Sequence, residues 1–341
     1  MKSQNLRRAL HLSNRFAKQS KYYLAAKLPH EVGVQGSYST GNIGDLAIGT
    51  AIRAWLNDED ITSRLYTKRM CSTSASTTIL GGGGVIHDSP PSDLERRLSF
   101  LNENSVFLGV GANPISNEKS QQLLSEALDK ANLITTRDQR STDVLQRYTD
   151  SEVITTACPA LTLQRPDAEI KYKTGINFRP GFFREKYAEY HKDRLNLNES
   201  SSITLGELDE EYIKICQETI DQVADPVFIP FTIEDERFAR EHLDIDVKRY
   251  EYSASKALKD VAEVKKMICT RYHSLVFSII CNIPSVAIAY APKVEELAER
   301  AEIEYCYPSQ DSGTLDFKQP SGRGEIIDRS KENFRLLRKE I

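Results

Sequence analysis

The chain predicts an α/β fold of two Rossmann-like domains facing a cleft, and three observations predict it. Short apolar strand-like runs alternate with helical ones from Glu31 to Thr155, the mark of a parallel sheet with helices on both faces. The same alternation restarts after Pro166 and runs to Ala289, with a break at residues 164–172. With 341 residues, the chain is also longer than one ordinary compact core requires, so two domains are expected. The boundaries read as a basic extension over 1–30, a first domain over 31–165, a second over 170–310, and a tail over 311–341. The tail carries a charged helix, Ile327–Lys339, expected to cross back onto the first domain.

In the first domain, Glu31–Gln35 predicts a strand ending in Gly36, and Ala47–Leu56 a helix. Thr77–Leu80 predicts a strand that stops at four glycines, and Val106–Val110 a strand that stops at Gly111. Glu118–Asn132 has helical periodicity, followed by a strand at Leu133–Thr136, a helix at Ser141–Tyr148 and a strand at Glu152–Thr155. In the second domain, strands are expected at Lys173–Phe178, Pro226–Phe231, Lys266–Thr270 and Ser285–Ala289. Helices are expected at Leu208–Val223, Glu234–His242 and Ser253–Val264. The charged stretch Gly181–Asn198 reads as partly loop.

Composition excludes several classes. A net charge of -4 gives no global reason to expect nucleic acid. The six cysteines, at 71, 158, 216, 269, 281 and 306, form no C-x-x-C pair, which argues against a zinc ribbon or thioredoxin-type site and for reduced thiols in the cytoplasm. No residue cluster calls for a metal. No apolar run is long enough to span a bilayer. The first thirty residues carry Lys2, Arg7, Arg8, Arg15, Lys18, Lys21 and Lys27 with no acid before Glu31. Such a segment is either a helix packed on its own domain or a peripheral contact with an anionic membrane surface.

The motifs with chemical content stand at strand ends, where open α/β sheets bind ligands. Gly36-Ser37-Tyr38-Ser39-Thr40-Gly41-Asn42-Ile43-Gly44-Asp45 joins a strand to a helix. It offers free N–H groups to an anion or a hydroxyl-rich group, with Asn42 or Asp45 alternatively acting as helix cap. Leu80-Gly81-Gly82-Gly83-Gly84 predicts close ligand approach or a nest of N–H groups. Gly109-Val110-Gly111 reads as a turn or as a lining of the same cleft. Arg137 either holds a carboxylate or phosphate or pairs with Asp138. Glu234 and Asp235 suit a helix N-terminus or sugar hydroxyls. Arg271 and His273 flank Tyr272 after a strand; alternating on an extended backbone, they would point the same way. An arginine and a histidine there clamp an anion and move a proton.

Taken in order, these segments resemble the polysaccharide pyruvyl transferase family: G-x-x-x-x-G-N-I-G-D at 36–45, I-L-G-G-G-G at 79–84, L-G-V-G at 108–111, T-R-D-x-x-S at 136–141, and R-Y-H-S at 271–274 with P-S-V-A-I-A-Y-A-P-K-V at 284–294. Tyr272 stands where the family more often has leucine, and His87 is not a usual family residue. The resemblance implies a GT-B-like fold with an acceptor-side first domain and a donor-side second domain. It implies transfer of a pyruvyl group from phosphoenolpyruvate to a sugar, oligosaccharide or lipid-linked glycan, with a ketal formed and phosphate released. Phosphoenolpyruvate is then the donor substrate, and no cofactor is implied. By similarity, Arg271 and His273 bind its phosphate and Arg137 its anionic groups. His273 transfers a proton, and Asp45 positions the acceptor or acts as base. Asn42, Gly44, Gly82, Gly83, Gly84 and Lys293 complete the expected substrate-binding set. The implied location is cytoplasmic, or peripheral at the inner face of the membrane. Two other readings stay open: a glycosyltransferase of the same fold using a nucleotide sugar, and a non-catalytic sugar-binding protein.

Overall fold

A computed structural model describes residues 28–67, 69–70, 73–182, 191, 205–307 and 315–341. The basic segment 1–27 and most of the Gly181–Asn198 stretch lie outside the described residues. The chain divides into two compact units, one running to Thr162 and joined by Ile327–Ile341, the other spanning Leu163–Ile326.

In the first unit the elements follow as β1 (Val32–Gly36), α1 (Ile43–Asp58), β2 (Ser63–Thr67), β3 (Thr77–Ile86), α2 (Pro91–Leu98), β4 (Ser105–Ala112), α3 (Glu118–Asp129), β5 (Ala131–Thr136), α4 (Gln139–Leu145) and β6 (Ile154–Thr155). The sheet order is β2-β1-β3-β4-β5-β6, with parallel pairing throughout these strands. β1 and β4 are buried along their whole length, as a sheet covered on both faces requires. The chain leaves β1 toward β2 and returns on the other side at β3, so the β1/β3 edge is the switch point of this sheet.

β3 corrects one expectation. The strand does not stop at Leu80 but continues through all four glycines to Ile86. Packing explains the glycines better than a ligand loop does. A Cβ on Gly81 would lie 2.3 Å from the Tyr38 Oη and 2.7 Å from Ile52 Cδ1, and one on Gly82 2.8 Å from Ile48 Cγ2. Gly36 and Gly49 also make room for the Tyr38 ring, with Cβ positions at 2.4 and 2.8 Å from it. Three glycines far apart in sequence thus seat one buried tyrosine beneath α1. The run breaks at Gly83, which takes φ +84°, and the β3/β4 register shifts between Gly83 and Ile86.

The second unit holds β7 (Tyr172–Asn177), α5 (Leu205–Asp221), β8 (Pro226–Phe228), α6 (Ile233–His242), β9 (Asp246–Val247), α7 (Ala254–Ala262), β10 (Val264–Cys269), α8 (Tyr272–Cys281), β11 (Ser285–Ile288), α9 (Pro292–Ala301) and β12 (Glu304–Cys306). Its sheet order is β12-β11-β10-β7-β8-β9, again parallel. Numbered within the unit this is 3-2-1-4-5-6 read from β9, the classical dinucleotide-fold order, with its switch point between β7 and β10. α8 is buried at every position, which accounts for its lack of polar periodicity. It ends on Asn282 in the left-handed conformation (φ 53°).

The last helix, α10 (Arg323–Leu337), returns to the first unit. Asn333 is its anchor. Its buried Oδ1 accepts from Thr135 Oγ1 at 2.6 Å and Thr156 Oγ1 at 2.8 Å, while Nδ2 donates to the Ala157 carbonyl at 2.9 Å. No helix among the described residues is long and apolar enough to cross a membrane. Cys158, Cys216, Cys269, Cys281 and Cys306 are free thiols.

Candidate functional site

In the first unit the site residues gather at the carboxyl ends of β1, β3, β4 and β5. Thr40 closes the turn after β1 by donating Oγ1 to the Ser37 carbonyl at 3.0 Å. Asn42 then caps α1, its Oδ1 accepting from Gly44 N at 3.0 Å, so this side-chain oxygen is engaged in the fold. Asp45 sits in the first turn of α1, half-buried, with Oδ1 3.1 Å from where a Gly83 Cβ would be. Gly84 is exposed and a Cβ there would meet nothing within 4 Å. Gly83 thus stands against Asp45 and Gly84 opens outward, while Gly82 is closed off by Ile48 and the Gly109 carbonyl.

Arg137 follows β5 and is buried. Its Nε donates to Asp138 Oδ2 at 3.0 Å, and Asp138 Oδ1 caps α4 by accepting from Ser141 N at 2.8 Å. Burial raises the Asp138 pKa, but the Arg137 charge and the Ser141 hydrogen bonds outweigh it and hold the carboxyl below its ordinary value. A Cβ on Gly111 would stand 2.7 Å from the Arg137 guanidinium, which explains the second glycine of the Leu108–Gly111 motif. Asp45, Arg137 and Asp138 all act electrostatically on the buried Cys158 thiol, so the fold brings these residues into one neighbourhood. Burial pushes that thiol up to about 11, which makes it a poor nucleophile.

Sequence reasoning missed Arg97 on α2. It is 2% exposed and donates Nη2 to Ser37 Oγ at 3.2 Å, while Nε and Nη1 have no hydrogen-bond partner among the described residues. Burial lowers its pKa against the charges of Asp93 and Asp45. Nothing in its sequence setting, a charged helix, distinguishes it from the surface arginine beside it.

In the second unit the switch point carries the cations. Arg271 is the N-cap of α8, with no side-chain cap bond, and His273 lies in the first turn. The two do not alternate on an extended strand, because the helix begins at Tyr272. Asp235 orients Arg271: Nε donates to Oδ2 at 2.7 Å and Nη2 to Oδ1 at 2.5 Å, a bidentate pair, and Nη2 also reaches Thr232 Oγ1 at 3.2 Å. Asp235 is wholly buried and forms the capping box of α6 with Thr232. Burial works against the charge of Arg271, and Asp235 more than restores it, so the pKa is raised. Asn177, at the end of β7, accepts from Arg271 N at 3.3 Å. His273 is buried, with its ring edge-on to Tyr272 at 5.2 Å.

Lys293, in the first turn of α9, holds its Nζ 5.2 Å from the Tyr290 ring centroid. Arg179 also packs on Tyr290, its Cζ 4.2 Å from the same centroid. Sequence reasoning overlooked Arg179, although it stands just beyond β7 as Arg271 stands just beyond β10; the same strand-end signal would have found it. Asp235 was read as a helix-end residue, and its pairing with a residue 36 positions away has no sequence signature. Among the described residues, no three His, Cys, Asp or Glu side chains group as metal ligands. A surface groove of about 630 Å³ between α2 and α3, lined by Glu95, Leu98, Lys119, Leu123 and Lys130 among others, includes none of these residues.

No curated protein matches this chain. Among solved structures, the uncharacterized protein KP1_0663 from Klebsiella pneumoniae is similar at 15% identity and a TM-score of 0.47, over 87% of this chain and 98% of that one. A putative UDP-N-acetylglucosamine 2-epimerase from Listeria monocytogenes is similar at 10% identity and a TM-score of 0.48, over 91% and 88%. These likenesses are distant, and the fold rests on the strand orders above. A family profile described as polysaccharide pyruvyl transferase matches residues 42–292, from the cap of α1 to the start of α9. That span takes in every strand of both sheets except β1 and β12, and the chain belongs to the polysaccharide pyruvyl transferase family.

Proposed function

We propose that the protein transfers a pyruvyl group from phosphoenolpyruvate to a sugar of a glycan or glycan precursor, forming a ketal and releasing phosphate. The observation that carries this reading is the convergence of Arg271 and Lys293, from separate elements, beside the β7/β10 switch point of the second unit. Phosphoenolpyruvate presents a phosphate and a carboxylate a few atoms apart, and such a ligand is matched by fixed cations. Asp235 holds Arg271 in one orientation before any ligand arrives, and its bonds engage Nε and Nη2.

In this reading one sugar hydroxyl oxygen attacks C2 of the enol while C3 takes a proton and becomes the methyl group. A second hydroxyl then displaces phosphate at C2, closing the ketal. His273, in the first turn of α8 next to Arg271, is assigned the proton transfer. Asp45, beside Gly83 in the first unit, is assigned the acceptor, as base or positioning group. Arg137, in the first unit and oriented by Asp138, is the alternative ligand for the donor's anionic groups. The donor thus belongs to the second unit and the acceptor to the first. The reaction is assigned to the cytoplasm, with the basic segment 1–27 as a peripheral membrane contact. Phosphate release from phosphoenolpyruvate in the presence of candidate glycan acceptors tests the reading. Loss of at least about 100-fold in His273→Ala is expected from a lost proton transfer; an unchanged rate removes His273 from the mechanism.

A further inference from the structure

Arg179 and Tyr290 are unexplained by the fold alone. Arg179 is 5% exposed, and its Nε is buried without a hydrogen-bond partner among the described residues. A buried donor left unmade is unfavourable, which marks this guanidinium as a candidate ligand group. Its guanidinium lies over the Tyr290 ring at 4.2 Å, and Tyr290 is itself 5% exposed. Lys293 hydrogen-bonds the Tyr290 side chain, and Arg271 acts on it electrostatically. Phe182 meets the ring edge-on at 6.3 Å and also packs against His191 and Tyr307. Three cations from three elements therefore face one phenol. Asp235, with Glu234 near it, balances Arg271.

We infer that Arg179 and Tyr290 complete the anion site of the second unit: Arg179 is a third cationic ligand of the donor, and the Tyr290 hydroxyl is the resident counter-group whose proton content changes when the anion binds. This rests on the assignment of the donor to the second unit, and it names how that site handles charge. Burial raises the phenol's pKa, but the Lys293 charge, the Arg179 charge, the Lys293 hydrogen bond and the Arg271 charge outweigh it and bring it down to about 7. The ordinary tyrosine value is about 10. A phenol brought that far down is poised to share its proton near neutral pH, and as phenolate it would neutralise part of the cationic cluster. A bound phosphate or carboxylate takes over that task. The phenolate then takes a proton from solvent, and the O–H so formed is a donor beside the bound anion. No bond other than O–H is made or broken.

The test follows the ultraviolet phenolate band of the full-length protein through neutral pH, free and with inorganic phosphate or phosphoenolpyruvate. The expected result is a phenolate transition near neutrality that is missing in Tyr290→Phe. Either anion should move it upward by about one pH unit, equivalent to tenfold tighter binding to the phenol form. Arg179→Gln should weaken binding of the same anion by about tenfold or more and raise the transition, with Arg179→Lys intermediate. No neutral transition, or one that survives in Tyr290→Phe, overturns the role of Tyr290. Unchanged affinity in both Arg179 variants overturns that of Arg179. If inorganic phosphate moves the transition and phosphoenolpyruvate does not bind, the subsite stands and the donor assignment falls.

Discussion

Replacing Gly81 with alanine tests whether the glycine run in β3 exists for packing. The added Cβ would stand 2.3 Å from Tyr38 Oη, 2.7 Å from Ile52 Cδ1 and 3.3 Å from Val34 Cγ1. All three neighbours are fully buried, and the Tyr38 ring is already held against Gly36 and Gly49, so it has no free direction to swing. Overpacking of this kind costs about 1–3 kcal/mol. The stiffer unfolded chain returns about 0.4–1 kcal/mol, leaving a net loss of roughly 1–2 kcal/mol. Gly84→Ala is the control: its Cβ meets nothing within 4 Å and its φ lies outside the left-handed region, so it should be neutral or slightly stabilising. Differential scanning calorimetry should read a Tm lowered by about 2–4 °C per kcal/mol in Gly81→Ala, and no loss in Gly84→Ala. Equal Tm values for the two variants would refute the packing account and return the whole glycine run to ligand binding.

Further outcomes are expected elsewhere. Asn333→Ala should destabilise the protein by about 2–4 kcal/mol, because it strands the buried Thr135 and Thr156 hydroxyls and the Ala157 carbonyl together; denaturant melts check it, and a change below about 0.5 kcal/mol would mean the helix is held otherwise. Burial first, and the Arg179 charge second, depress the His191 pKa to about 4 from an ordinary 6.5. The unfolded chain then protonates before the folded one, so this residue's contribution is whole above about pH 6.5 and is lost as the pH falls toward 4. In His191→Gln the stability–pH curve should be flatter over that window, and an identical slope contradicts the assignment. Deleting residues 1–28 should lower binding to anionic vesicles in sedimentation without lowering the Tm; unchanged sedimentation removes the membrane contact.

Most of the architecture was legible in the sequence because buried parallel strands and amphipathic helices carry different periods. β2, α2, β9, α9 and β12 were not read. β9 and β12 are two or three residues long, below what a period reveals, while α2 and α9 both begin at a proline that reads equally well as a turn. β3 was cut short because glycine is ordinarily a strand breaker, and the reason for the exception, the Tyr38 ring, comes from a different segment. Arg271, Lys293, Arg137 and Asp45 stand out because they follow strand ends. Asp235, Arg97 and Tyr290 acquire their roles only through contacts that sequence spacing does not encode. The choice between Arg137 as ligand and Arg137 as partner of Asp138 was open in the sequence; in the structure the pair is formed through Nε and Asp138 Oδ2.

The central claim is that the second unit binds phosphoenolpyruvate through Arg271. A thermal-shift titration of the purified protein with phosphoenolpyruvate, beside a panel of nucleotide sugars, tests it most directly. The account predicts a saturable rise in Tm with phosphoenolpyruvate that disappears in Arg271→Ala, since a ligand at 100 times its Kd stabilises by about 2.7 kcal/mol. A rise with a nucleotide sugar and none with phosphoenolpyruvate would contradict it and make the protein a glycosyltransferase on the same scaffold.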